Sequence, residues 1–265
     1  MTTRRLRDFI AERGIFGCAA LHWTPRPAAR HRLLEAAYDA GFRCFDVAPA
    51  YGNGLAERAI GEVFAGVRNV AVQTKSGIPV AIYPPVFEQA FPLARAADML
   101  VGTHRTAYQT RRFDLRSLER EVAGSIARLG GIVPHTLFLH DPLEPLTAEA
   151  WAACRSSLEV VAARNGIAKV GVAGVHAIES VHSAWDSSAV QAPFSRWIDP
   201  TLRAMCGEGL AASRVSVFGL FAAYRATKDD RRFEAWLRAV ASEHERIHLV
   251  LTTGSIDRLR GWGRA

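Results

Sequence analysis

Three ionisable residues of this 265-residue chain each end a short apolar run. They are Asp46, Lys75 and His140, and Tyr51 follows the first of them by five positions. If the runs are parallel strands of one barrel, their carboxyl ends meet at one mouth, which is where such barrels place active sites. The sequence therefore predicts that these four polar side chains lie together.

This set of residue types suits proton transfer at a carbonyl group. Asp46 and Lys75 are expected to pair, since an isolated charge inside apolar strands costs several kcal/mol. A tyrosine has a pKa of about 10, and a neighbouring ammonium group lowers it. His140 could donate a hydrogen bond that aligns a carbonyl oxygen. We therefore expect Tyr51 to act as a general acid beside a carbonyl-binding pocket.

The elements that would position these residues form a regular alternation. Eight apolar runs are separated by segments of helical period, and near-continuous hydrophobicity is typical of strands that are buried on both faces. Eight strands and about 250 residues are the usual size of a (β/α)8 TIM barrel. We predict one such domain over residues 1–265. Its strands are predicted at Phe16–Leu21, Cys44–Ala48, Val70–Thr74, Thr136–His140, Val170–Val175, Ala189–Pro193, Val215–Leu220 and His248–Thr252.

The intervening helices carry recognisable start and stop signals. One is predicted between Asp114 as N-cap and Gly130, and the others lie at 27–41, 55–66 and 147–166. A long Pro-containing segment at about 78–113 exceeds an ordinary strand–helix loop. It is either a wall or lid of the substrate pocket or a tolerated surface insertion.

Composition and charge exclude several classes of function. The net charge is +7, but the basic residues are scattered and no nucleic-acid-binding module is recognisable, so we expect no nucleic-acid partner. No apolar run approaches the roughly 20 residues of a membrane helix. Four widely spaced cysteines fit a reduced, cytoplasmic protein. The oligomeric state is left open.

Three motifs resemble those of the aldo-keto reductases. They are the segment from Gly41 to Gly54 with Glu57 and Gly61 following, the segment 73–77 (QTKSG), and the segment 125–142, which ends in LFLHDP. The resemblance implies hydride transfer between NADP(H) or NAD(H) and a small carbonyl, alcohol or aldose substrate. It also implies a catalytic tetrad of Asp46, Tyr51, Lys75 and His140, in which Tyr51 donates or accepts the proton. The long segment after Lys75 is similar to the branch that oxidises aldoses at C1.

The same resemblance implies a set of ligand-binding residues. For the cofactor these are Asp46, Gln191, Phe218, Gly219, Leu220, Thr253, Ser255 and Arg258, and for the substrate Trp23, Tyr51 and His140. NADP(H) is favoured over NAD(H), because Arg258 at the start of the last helix could hold a 2′-phosphate. The family's usual Ser-Asn pair after strand five is replaced by Ala173-Gly174, and Thr252 stands where a lysine is usual. Weaker cofactor binding than is normal for the family is therefore expected.

Other interpretations of these residues remain. Residues 244–248 spell HExxH, a zinc motif only when it is helical, and they precede a predicted strand, so no metal site is expected. Residues 52–57 resemble the glycine-rich fingerprint of Rossmann dinucleotide-binding domains but lack its third glycine, so no Rossmann domain is expected. Lys75 could instead form a Schiff base in an aldolase-like barrel enzyme. A barrel that binds a nicotinamide cofactor without catalysis is a further alternative.

Overall fold

Eight parallel strands close into one barrel in the order of the chain. The structure is a computed structural model, and it describes residues 5–80, 110–182, 188–202, 215–227 and 229–264. The strands are β1 Gly14–Gly17, β2 Cys44–Asp46, β3 Ala71–Ser76, β4 Thr136–His140, β5 Lys169–Ala173, β6 Ala189–Pro193, β7 Val215–Phe218 and β8 His248–Leu251. Each strand pairs with the next, and β8 pairs with β1. The predicted (β/α)8 barrel is confirmed.

Five of the predicted strands, β1, β2, β5, β7 and β8, end one to four residues earlier in the structure, and for β1 and β7 the local reason is clear. β1 stops at Gly17, and the chain then turns into a short 3-10 helix at Leu21–Trp23. β7 stops at Phe218 because Gly219 has a φ of 75°, a left-handed conformation that glycine adopts without strain and that ends the extended chain. Both predictions extended the strands into apolar residues that belong to the following turn or helix.

Ten helices are present in the described residues. They are α1 Leu6–Arg13, α2 Pro27–Asp39, α3 Leu55–Phe64, α4 Leu115–Arg128, α5 Ala148–Asn165, α6 Ala177–His182, α7 Phe194–Trp197, α8 Leu220–Thr227, α9 Phe233–Glu243 and α10 Ile256–Arg264. The predicted caps are present: the Asp114 carboxylate accepts from Ser117 N at 3.0 Å, and Thr147 Oγ1 accepts from Ala150 N at 3.2 Å.

The first helix was not expected from the sequence. α1 buries Leu6, Phe9 and Ile10, and the Arg13 guanidinium donates to Ala241 O at 2.9 Å and His244 O at 2.8 Å. These carbonyls lie at the C-terminal end of α9, where a helix lacks internal donors. α1 is therefore fixed by tertiary contacts, which its strongly charged sequence does not reveal.

The long loop predicted at about 78–113 lies mostly outside the described residues. Only residues 78–80 and 110–113 of it are described, and they contain no helix or strand. None of the described helices is long and apolar enough to cross a lipid bilayer.

Candidate active site

Asp46, Lys75 and Tyr51 form a continuous chain of hydrogen bonds at the C-terminal mouth of the barrel. Lys75 Nζ lies 2.6 Å from Asp46 Oδ2 and 2.7 Å from Oδ1, and it donates to Tyr51 OH at 3.0 Å. Asp46 is 3% and Lys75 2% exposed. Asp46 ends β2, Lys75 lies near the end of β3, and Tyr51 follows in the turn before α3. The predicted pairing of Asp46 with Lys75 is present.

Two glutamines also hold the Asp46 carboxylate. Gln73 Nε2 donates to Asp46 Oδ1 at 2.9 Å, and Gln191 Nε2 donates to the same oxygen at 2.8 Å. With Lys75, this oxygen accepts three hydrogen bonds. Gln191 was predicted to contact the nicotinamide amide, whereas in this structure its amide nitrogen is directed at Asp46. Both glutamines therefore fix the carboxylate that orients Lys75.

His140 completes the predicted cluster. Its ring lies 6.0 Å from the Tyr51 ring, centroid to centroid, at an interplanar angle of 81°. Burial holds the pKa of His140 well below its usual value, and the nearby charges of Lys75 and Arg111 lower it further. His140 is therefore a neutral imidazole at neutral pH, with one N–H to donate and one nitrogen that accepts.

The pKa of Tyr51 differs from the sequence expectation. Burial raises it to about 12, and this outweighs the lowering by the Lys75 charge, while Asp46 raises it again. The expected effect of Lys75 is present, but desolvation of the phenolate is larger. In this state Tyr51 keeps its proton, which suits a proton donor.

This raised pKa can be measured by the ultraviolet absorbance of tyrosinate. A tyrosine with an ordinary pKa ionises at about pH 10. We expect Tyr51→Phe to leave the absorbance rise up to about pH 11 unchanged, because Tyr51 ionises above that range. A smaller rise in the variant over that interval would show that Lys75 dominates and that the phenol is acidic.

The pKa of Lys75 also bears on its chemistry. Burial lowers this pKa, but the Asp46 carboxylate and Tyr51 together outweigh burial, so the net shift is upward. Lys75 is therefore a protonated ammonium group with no free electron pair. Formation of a Schiff base requires a neutral amine. The arrangement thus disfavours the aldolase-like alternative.

A second cluster brings together residues predicted to hold the cofactor. Gly219, Leu220 and Arg258 line one cavity of about 190 Å³, between the end of β7 and the start of α10. Arg258 N donates to Ser255 Oγ at 3.2 Å, and Arg258 Nη1 lies 3.4 Å from Thr253 Oγ1. Arg260, by contrast, faces Asp257 at 3.4 Å. Arg258 is therefore the better candidate for binding an anion here.

The glycine at position 174, which replaces the Asn of the usual Ser-Asn pair, has a structural reason. Gly174 has a φ of 145°, and a Cβ at this position would lie 2.5 Å from Asp141 Oδ1 and 2.6 Å from Asp141 Cα. Asp141 itself has a φ of 50° and follows His140 directly. The backbone after β4 therefore occupies the space that a side chain at position 174 would need.

Two polar residues near the cluster were not predicted from the sequence. Gln73 is one, and alternation along β3 identifies it, since residues 73 and 75 face the same side of a strand. The other is Arg111, whose Nε donates to Asp141 O at 2.6 Å and whose charge lowers the pKa of His140. Arg111 lies at the end of the long loop, where no periodic pattern places it.

The remaining predicted residues have mixed surroundings. Trp23 is 67% exposed, and its ring lies 4.7 Å from that of His22. Phe218 is half-buried at the end of β7.

His244 caps α9 and His248 begins β8, so the HExxH string is not helical. The described residues contain no group of His, Cys, Asp or Glu suited to a metal ion.

Proteins of known description are similar to this chain in sequence or in fold. D-threo-aldose 1-dehydrogenase from a Pseudomonas species is 30% identical over 143 residues, which are 53% of this chain and 42% of that protein. The chain therefore matches less than half of that relative's length. Among solved structures, the holo form of an aldo-keto reductase from Bacillus halodurans has a TM-score of 0.67 at 16% identity, covering 94% of this chain and 84% of that one.

A second solved structure covers the whole chain. An aldo-keto reductase from Klebsiella pneumoniae, described in complex with NADPH, has a TM-score of 0.63 at 16% identity and covers 100% of this chain and 89% of that one. The model of the aldo/keto reductase family matches residues 15–231. Since this match spans most of the chain, the protein belongs to the aldo/keto reductase family.

Proposed function

We propose that this protein transfers a hydride between NADP(H) and a small carbonyl, alcohol or aldose, with Tyr51 as the proton donor or acceptor. The observation that carries the proposal is the 3.0 Å contact between Tyr51 OH and Lys75 Nζ, together with the pairing of Lys75 and Asp46. A phenol, a fixed cation and a neutral imidazole at one mouth are suited to proton transfer at a carbonyl oxygen.

The four residues divide the proton chemistry between them. In reduction, Tyr51 O–H donates its proton to the carbonyl oxygen while the carbonyl carbon accepts the hydride. In oxidation, the same oxygen accepts the proton of the alcohol. His140 donates a hydrogen bond to the substrate oxygen, and the Lys75 ammonium stabilises negative charge on Tyr51. Asp46, held by Gln73 and Gln191, keeps Lys75 charged and oriented.

The residues near β7 and α10 fit the anionic end of a nicotinamide dinucleotide. Arg258 supplies donors at the cavity between these elements, and a Cβ added at Gly219 would meet no atom within 4 Å, so the approach is open. The aromatic face of Phe218 suits the nicotinamide end. When bound, this cofactor supplies or accepts the hydride.

The preference for NADP(H) leads to a specific expectation for Arg258. Arg258→Ala should weaken NADP(H) binding by on the order of 1.5–3 kcal/mol, the value of a hydrogen bond to a charged group. NAD(H) lacks the 2′-phosphate and should be nearly indifferent. Titration of both cofactors, followed by protein fluorescence, measures the difference.

Arg260→Ala is the matched control for this test. Arg260 belongs to the same helix, and its replacement by Ala also removes one positive charge. Its side chain, however, faces Asp257. Arg260→Ala should therefore change the affinities for NADP(H) and NAD(H) little. Equal losses of NADP(H) and NAD(H) affinity in Arg258→Ala would mean that Arg258 does not read the 2′-phosphate.

The activity itself is tested by a substrate screen that follows nicotinamide absorbance. Aldoses with NADP⁺, and aldehydes with NADPH, are the first candidates, because the similar Pseudomonas protein is an aldose 1-dehydrogenase. Turnover supports the proposal. Binding of the cofactor without turnover of any substrate would favour the non-catalytic barrel instead.

A further inference from the structure

The interior of the barrel is incompletely filled at the end opposite the tetrad. The residues that face inward near the N-terminal ends of the strands are mostly small or polar: Cys44, Ala71, Thr136, Ala189 and Ser216. Barrels of this kind usually fill their interior with bulky branched residues. The small side chains leave space where a packed layer is expected.

This space forms a cavity of about 740 Å³, which we call the N-terminal cavity. It extends inward to Phe138 and Gln73 and outward to Lys169, the first residue of β5. Pockets for small molecules commonly measure about 300–1,000 Å³ and combine apolar walls with a few polar groups. The N-terminal cavity has both properties.

Lys169 is the principal cation at its opening. Its charge lowers the pKa of His135 and of His248, each of which burial has already lowered, and it acts on Cys44 as well. Lys169 has no ion-pair partner within the described part of the chain. The two arginines that line this end have protein partners. Arg155 pairs with Glu159 at 2.8 Å, and Arg43 donates to Tyr38 O at 2.7 Å.

Two histidines lie beside this cation, and one of them adds a hydrogen-bond donor. His135 Nδ1 lies 3.1 Å from Thr136 Oγ1, and His248 begins β8 on the same opening. A neutral imidazole has one N–H. The ring of His248 is hydrogen-bonded to the backbone of Val215, so the donor for a ligand is on His135. Glu12 also lines the cavity and partly offsets the positive charge by acting on His248. With Glu12 taken into account, Lys169 and the neighbouring imidazole suit a ligand that carries a single compact negative charge.

We propose that the N-terminal cavity binds a small organic acid, with its carboxylate at Lys169 and its apolar body inside the barrel. Charge-assisted hydrogen bonds from the Lys169 ammonium and the His135 imidazole would hold the carboxylate. Phe138 and Ala189 provide the apolar contacts inside. None of the four tetrad residues lines the cavity, so this inference does not depend on the proposed function.

A pair of matched ligands tests the proposal: 2-naphthoate, which carries the charge, and 2-naphthalenemethanol, which has the same rings and none. We expect the protein to bind naphthoate more tightly. Lys169→Gln should weaken naphthoate binding about tenfold and leave the neutral alcohol unchanged, as loss of a hydrogen bond to a charged group requires. Isothermal titration calorimetry measures all four affinities.

Ala71→Leu tests the location of the site. The added side chain would occupy the cavity, so both ligands should bind at least tenfold more weakly. Arg116→Gln, an exposed charge on α4, should change neither affinity. If naphthoate affinity is unaffected by both Lys169→Gln and Ala71→Leu, the acid binds elsewhere and the proposal is wrong. Lys169 is exposed, so its variant keeps the test valid even if Ala71→Leu fails to fold.

Discussion

Replacing Tyr51 with Phe is expected to lower kcat by at least about 10²-fold, the usual effect of losing a general acid. The dissociation constant of the cofactor should stay nearly the same, because the ring remains and only the hydroxyl is removed. The raised pKa strengthens this expectation for reduction. A phenol with a pKa of about 12 stays protonated at neutral pH, and an alkoxide is a stronger base than a phenolate.

Tyr38→Phe serves as the control for this experiment. Tyr38 lies on α2 and packs against Phe64, on the outside of the barrel, so its hydroxyl has no part in the proposed reaction. Its variant should retain full turnover. Substantial activity in Tyr51→Phe would assign the proton transfer to another group, and His140 is then the next candidate, since its ring lies beside that of Tyr51.

The barrel was predictable because each strand buries both faces. Runs such as Thr136–His140 and Ala189–Pro193 coincide with β4 and β6, because the apolar run and the paired segment end at the same residue. The prediction failed where apolar residues continue past the sheet. After Phe218, only the backbone conformation of Gly219 separates β7 from α8, and hydrophobicity does not record it.

The clustering of Asp46 and Lys75 with Tyr51 was predictable for a related reason. Asp46 and Lys75 are charges within apolar segments, and burial forces them to pair. The contribution of Gln73 was harder to see, because an uncharged amide in a strand gives no such signal. The reason for glycine at position 174 could be found only in the structure. The residue that excludes a side chain there is Asp141, which lies more than 30 positions away in the sequence.

The net pKa of Tyr51 depends on a balance that sequence does not contain. Motif spacing indicates that a lysine lies near the phenol, and this predicts a lowered pKa. The extent of burial decides the result, and burial depends on how the surrounding chain packs. In this structure desolvation outweighs the Lys75 charge.

The Asp46–Lys75 pair should dominate the stability of the site. Removing one partner of a buried ion pair typically costs about 3–5 kcal/mol, because the other charge is left uncompensated. We expect Asp46→Asn and Lys75→Met each to lower the free energy of unfolding by about this amount. Glu159→Gln breaks an exposed pair with Arg155 and should cost no more than about 1 kcal/mol. Urea denaturation at neutral pH measures all three.

The double variant Asp46→Asn/Lys75→Met separates pairing from burial. It contains no unpaired charge at this position, so its loss of stability should be smaller than the sum of the two single losses. Neutral pH is suitable because the pKa of Lys75 in the folded protein is raised above 10.5. The contribution of the charged Lys75 to stability is therefore fully present at neutral pH, and it is lost only as the pH rises through the folded pKa. Additive losses would show that Asp46 and Lys75 are not coupled. Lys75 would then hold its position beside Tyr51 through other contacts, of which the 3.4 Å approach of its Nζ to Val47 O is the nearest candidate.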